Sequence, residues 1–112
     1  MTTKRRRYEK DQTIFREHEA GDQAFIIAEG QVEIQKETSE GPESLGVLKK
    51  GSMFGEMALI DDKLRMASAK AVNGSVELLV IDQKTFKNRL EGLDPFSRGL
   101  IKILADMARS NN

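Results

Sequence analysis

With 112 residues, no cysteine, one histidine and 18 acidic residues balancing 18 basic ones, the chain has room for one domain and carries no net field of either sign. Disulfides and thiolate metal sites are excluded, His18 alone cannot build a histidine-based metal site, no cofactor is implied, and the charge balance does not draw the chain to nucleic acid. No apolar run approaches the roughly 20 residues of a spanning helix, and MTTKRRRYEK has no apolar stretch behind its charges, so neither membrane nor secretion is expected and the cytoplasm is the default.

The basic run KRRR (residues 4–7) reads as a solvated end or an edge strand protected by its charges, in preference to an arm that grips phosphates. Up to about residue 82, short segments rich in Ile, Val and Phe alternate with turn residues, the texture of an all-β unit. TIFRE (13–17) is a strand that runs into HEAGD, a turn where Gly21 can supply positive φ and Asp22 can bond nearby backbone. AFIIAEGQVEIQKE reads as two strands meeting at Glu29-Gly30, the second with Val32 and Ile34 on one face and Gln31, Glu33 and Gln35 on the other. TSEGPES (38–44) is a hairpin tip centred on Gly41-Pro42, leading to a strand through Leu45, Val47 and Leu48, after which KKGSMFGE turns the chain again.

Residues 65–71 and 75–81 are expected as two further strands around Asn73-Gly74, the strongest short-range hairpin signal in the chain. The total is seven or eight short strands over about residues 4–82, which must close or sandwich to bury their apolar faces. Then the period changes. DQKTFKNRLEG predicts a helix over about residues 83–91 with Asp82 as N-cap, Phe86 and Leu90 one turn apart, and Gly92 as stop. A second helix over about 95–110 has Asp94 as cap and Pro95 at its first position, with Phe96, Leu100, Ile103, Leu104 and Met107 in one apolar stripe.

The stretch FGEMALIDDKLRMASA (54–69) holds the chemistry. Gly55-Glu56 lets a single helical turn start sharply at MALI, and such a start presents unpaired N–H groups suited to anions. Arg65 adds a planar donor fork for phosphate oxygens, and Ala67, Ser68 and Ala69 leave space beside it. Glu56 would repel an anion, yet it accepts well from a hydroxyl, so the pair suits a ribose phosphate. Read without further context, the same residues also fit a structural ion pair of Arg65 with Glu56 or Asp62.

FGEMALIDDKLRMASAKA resembles the phosphate-binding cassette of cyclic nucleotide-binding domains, and EAGDQAFIIAEGQVEI resembles their glycine-anchored strand segment upstream. The resemblance runs over nearly the whole chain, as a single domain of residues 1–112. It implies a mainly β fold, an eight-stranded jelly-roll β-barrel with a short cassette helix and two C-terminal α-helices, cradling cAMP or cGMP. On that resemblance Arg65 pairs with the cyclic phosphate, Glu56 accepts the ribose 2′-hydroxyl, and Gly55 with the amides of Ala58, Leu59 and Ala67 completes the cradle, Met57 and Met66 standing beside them. Leu100, Ile103, Leu104 and Met107 are the expected lid over the base.

Three departures matter. Met66 stands where the family often has Ser, Thr or Ala, which removes a hydroxyl contact and leans the expectation toward cAMP over cGMP. DDKL (61–64) lacks the Gly or Pro common before the arginine, and Asp61 and Asp62 would weaken anion binding if they faced inward. His18 stands at a usual turn glycine and reads as a turn residue. The expected function is a cyclic nucleotide receptor that repositions its C-terminal helices to regulate a protein partner or a second copy of itself. The alternatives are a barrel that has lost its ligand and serves as an interaction domain, or a fragment of a catabolite-activator-type regulator; ending at ARSNN, this chain alone is not expected to read DNA. An enzyme is not expected, because no metal cluster and no nucleophile with an adjacent base is apparent.

Overall fold

The computed structural model describes residues 4–110. Among them the elements run β1 (Lys4–Tyr8), β2 (Thr13–Phe15), β3 (Gln23–Thr38), β4 (Gly41–Leu48), β5 (Met53–Phe54), α1 (Met57–Asp61), β6 (Ser68–Asp82), α2 (Gln83–Glu91) and α3 (Pro95–Ser110). The sheet is antiparallel in the order β1-β6-β3-β4, with β2 also pairing β6 and β5 also pairing β3.

The eight expected strands are thus six, because two pairs of them are continuous. β3 passes through Glu29-Gly30 and β6 passes through Asn73-Gly74 without reversing, and the two run alongside each other on both sides of these points. Their inward residues explain the bend. In β6 the residues that enter the core cluster are Ala69 and Ala71, then Val76, Leu78 and Val80; in β3 they are Phe25 and Ile27, then Val32. Each series changes from odd to even or the reverse, which a strand of period two can do only by absorbing a residue in a bulge. The register shifts fall there, between Ile27 and Gln31 opposite residues 72–78. Asn73 (φ 64) and Gly74 (φ 140) do adopt positive φ, but Gly74 lies far from the left-handed helical value a tight hairpin needs, and both flanks pair with β3 instead of with each other.

Each long strand therefore serves two layers. β1 and β5 extend one half, β2 and β4 the other, and side chains from both halves meet in one core of Phe25, Ile27, Val32, Phe54, Ala69, Ala71, Val76, Leu78 and Val80. The basic run forms the edge strand β1, with Arg5 paired to Glu77 and Arg7 to Glu9 in exposed ion pairs. The β3–β4 tip lies two residues earlier than expected: Thr38 pairs with Gly41, so Ser39 and Glu40 form the loop, and Pro42 sits in the edge strand β4 where its missing N–H is tolerated.

The helix signals hold. The Asp82 carboxylate accepts from the Thr85 amide at 2.7 Å, and Asp94 accepts from the Ser97 amide at 2.8 Å. The apolar stripe of α3 does not pack inward, however. Ala105 is the residue α3 buries, while Phe96 is 79% exposed and Leu100, Ile103, Leu104 and Met107 are 44–58% exposed.

Candidate functional site

A cavity of about 220 Å³ opens where β2, β4, β5 and the start of α1 meet the segment before β6. Gly55, Glu56, Met57, Ala58, Arg65, Met66 and Ala67 all border it, together with an apolar wall that includes Phe15, Ile34, Leu45, Leu48 and Met53. Leu59 does not border it. Its side chain is fully buried and its amide already donates to the Glu56 carbonyl at 3.0 Å. The expected lid residues do not border it either, because α3 lies against α1 through its other face.

The sequence builds this corner from one glycine and one arginine. Gly55 has φ 80, and a Cβ there would approach the Arg65 Nη1 at 2.9 Å and the Phe15 ring at 3.2 Å. Arg65 is 6% exposed. Its Nη1 donates to the Gly55 carbonyl at 2.5 Å, its Nη2 donates to the Gln23 carbonyl at 2.7 Å, and its Cζ lies 4.1 Å over the Phe15 ring, which itself packs against Phe25 and Phe54. Among the described residues it forms no ion pair, so the fixed Arg65–Glu56 or Arg65–Asp62 bridge is not what holds it. Its Nε is buried with no partner. Leaving such a donor unpaired costs about 1–3 kcal/mol, which an acceptor oxygen can recover.

Burial lowers the Arg65 pKa from the usual arginine value, opposed by the charges of Asp22, Glu19 and Glu56. Glu56 precedes α1 and caps it with no side-chain bond. Burial raises its carboxyl above the usual glutamate range, against its own main-chain bond and the Arg65 charge. The cavity wall thus holds one buried cation and one carboxylate bonded to its own main chain, a combination that fits a ligand carrying an anion beside a hydroxyl.

Asp61 and Asp62 turn away from this site. Asp61 holds Arg109 near the end of α3 with a two-pronged ion pair, Nη2 to Oδ1 at 2.9 Å and Nε to Oδ2, and Asp62 takes Lys87 of α2 at 2.6 Å. Their charges are therefore spent on the two C-terminal helices. His18 does occupy the turn with φ 74, whereas Gly21 lies outside the left-handed region. Gly21 is small for a different reason: a Cβ there would overlap Nε and Cζ of Arg65. Phe15, Gly21 and Gln23, which pack around the Arg65 guanidinium, were not assigned to the site from the sequence, nor was the apolar wall of Ile34, Leu45, Leu48, Met53 and Phe54. The trace of the first three there is GDQ standing six residues after a strand phenylalanine.

A β fold bent around a cavity with a glycine-started turn, a buried arginine and a glutamate at its wall defines a small-ligand binding module. The model of the cyclic nucleotide-binding domain matches residues 5–92, and the chain belongs to that family. It is 36% identical over 106 residues, 93% of its length, to mouse cGMP-dependent protein kinase 2, and 30% identical over 104 residues to the type II regulatory subunit of the cAMP-dependent protein kinase of Drosophila melanogaster. Among solved structures, the cAMP-bound form of the EAL enzyme Bd1971 superposes with a TM-score of 0.92 at 35% identity over 97% of the chain, and the catabolite activator protein of Thermus thermophilus superposes at 0.78 and 30% over the same share. The chain spans 14% and 28% of the two kinase-related proteins, and 29% and 51% of the two structures.

Proposed function

We propose that this chain is a cytoplasmic receptor module for a cyclic nucleotide, with cAMP favoured over cGMP, and that it regulates a partner without itself catalysing a reaction. The observation that carries the reading is Arg65: a buried guanidinium at the wall of a cavity that Glu56 also borders, with its Nε unbonded. The phosphate meets Arg65 and the start of α1, and the ribose hydroxyl meets Glu56. The base lies toward Leu45, Leu48, Met53 and Met66. None of these four offers a strong donor or acceptor, which suits adenine better than guanine with its additional amine and carbonyl.

The output runs through α1. Its first residues border the cavity while Asp61 and Asp62 at its end hold α3 and α2, so a ligand that shifts α1 changes the grip on both helices. Such a ligand repositions the helices only to the extent that it binds one arrangement better than the other. The exposed stripe of α3 is the surface through which a partner, or a second copy, would read the change. The test is calorimetric titration of cAMP and cGMP into protein unfolded and refolded to strip bound nucleotide, with Arg65→Lys alongside. Saturable binding that Arg65→Lys strongly weakens supports the receptor; absence of heat with both ligands and an unmoved Tm refutes it and leaves a domain that works by protein contacts.

A further inference from the structure

Arg65 is held not only at its tip but along its main chain, from residues outside the cavity. The His18 amide donates to the Arg65 carbonyl and the Arg65 amide donates to the Glu19 carbonyl, both at 2.8 Å. One residue on, the Lys36 ammonium donates to the Met66 carbonyl at 3.3 Å. Lys36 is in turn faced by Glu17, whose carboxylate lies 3.5 Å from Nζ and accepts from the Glu37 amide at 2.8 Å. The Glu17 side chain is 7% exposed, and its own amide donates to Ser68 Oγ at 2.9 Å. Glu17 and Lys36 border a second hollow behind the Arg65–Met66 segment and do not border the cavity.

We infer that Lys36, oriented by Glu17, is a positioning residue for the ligand's phosphate, acting through the peptide between Met66 and Ala67. The described peptide bonds are all trans, and in a trans peptide the C=O and N–H point in opposite directions. With the Met66 carbonyl drawn back to Lys36, the Ala67 N–H is aimed the other way, the side on which Ala67 borders the cavity. A neutral residue at 36 would release that carbonyl, and the peptide could then rotate and spend its N–H elsewhere. Glu17 supplies the counter-charge that keeps the ammonium in place; the Glu37 amide, first, and the charge of Lys36 hold its carboxyl below the usual glutamate range against the opposing effect of burial. This inference rests on the cyclic nucleotide reading of the cavity.

The experiment compares native protein with Lys36→Met, Lys36→Arg and Glu17→Gln, by calorimetry with cAMP, by Tm without ligand, and by the amide resonance of Ala67 in proton–nitrogen spectra. Lys36→Met is expected to weaken cAMP binding about tenfold and to displace the Ala67 resonance in the ligand-free protein, while Lys36→Arg restores both. Glu17→Gln, which keeps size and an acceptor for Glu37, is expected to give a smaller loss in the same direction. If the native protein binds and Lys36→Met binds equally well, or if Lys36→Arg is as weak as Lys36→Met, the inference is overturned and the receptor reading stands. If the native protein takes up no cyclic nucleotide, the receptor reading falls.

Discussion

Placing alanine at position 21 is expected to have opposite effects on stability depending on what occupies position 65. Gly21 does not use the left-handed backbone that only glycine tolerates well, so alanine fits its main chain and, by restricting the unfolded state, should stabilise by about 0.4–1 kcal/mol. The Cβ, however, overlaps the Arg65 guanidinium. A free arginine would swing aside at little cost, but this one is pinned by the Gly55 and Gln23 carbonyls and stacked on Phe15. Hydrogen bonds to charged groups are worth about 1.5–3 kcal/mol each, and a displaced guanidinium recovers part of that from water, so Gly21→Ala should cost about 2–4 kcal/mol in the native background. Urea unfolding of the native chain, Gly21→Ala, Arg65→Ala and the double variant measures both effects. In the Arg65→Ala background the same substitution should be neutral or stabilising. Equal changes in the two backgrounds, within about 0.5 kcal/mol, would refute the account of why residue 21 is glycine.

Asp61 gives a pH signature. Burial pushes its carboxyl up, but the bonds from Arg109 and the Lys63 amide outweigh that and leave it below the usual aspartate range. Its contribution is therefore complete above the usual aspartate value and is lost as pH falls through the lowered one. Asp61→Asn should remove that part of the acid-side slope in urea midpoints taken between about pH 2 and 7, and should cost about 1–2 kcal/mol at neutral pH. Glu56 has the opposite sign. Because its folded-state value is raised, its contribution declines as pH rises through the window from the usual glutamate value to the raised one. Glu56→Gln should accordingly stabilise the ligand-free protein by up to about 1 kcal/mol at neutral pH while weakening cAMP about tenfold, read by melting and calorimetry on the same samples.

Much of the site was legible because its residues are contiguous. Gly55 to Ala58 and Arg65 to Ala67 reach the cavity together, since one short helix and one loop carry them all. The caps at Asp82 and Asp94 were legible for the same reason, being local bonds across three residues. What failed depended on distant partners. Asn73-Gly74 carries the local chemistry of a hairpin, and only the change of phase from Ala71 to Val76 says that the strand continues. That change is present in the sequence, but it becomes decisive only once β3 is known to change phase at the facing point. The stripe on α3 is apolar enough to suggest a buried face, yet α3 is oriented by Ala105 and by Arg109 reaching Asp61. Nor can the direction of two adjacent aspartates be read from their spacing; it was decided by cations on α2 and α3.

The five residues of α1 span about 7.5 Å, too few to hold a helix together unaided. Its shape is on loan from what grips it at either end: Gly55 and the cavity wall at one, Lys87 and Arg109 at the other. A longer helix could bend in its middle and absorb a displacement before it reached the far end. A single turn has no middle. It joins sheet to helices as a rivet does, so on the proposed reading a ligand at one head and a substitution at the other act on the same piece.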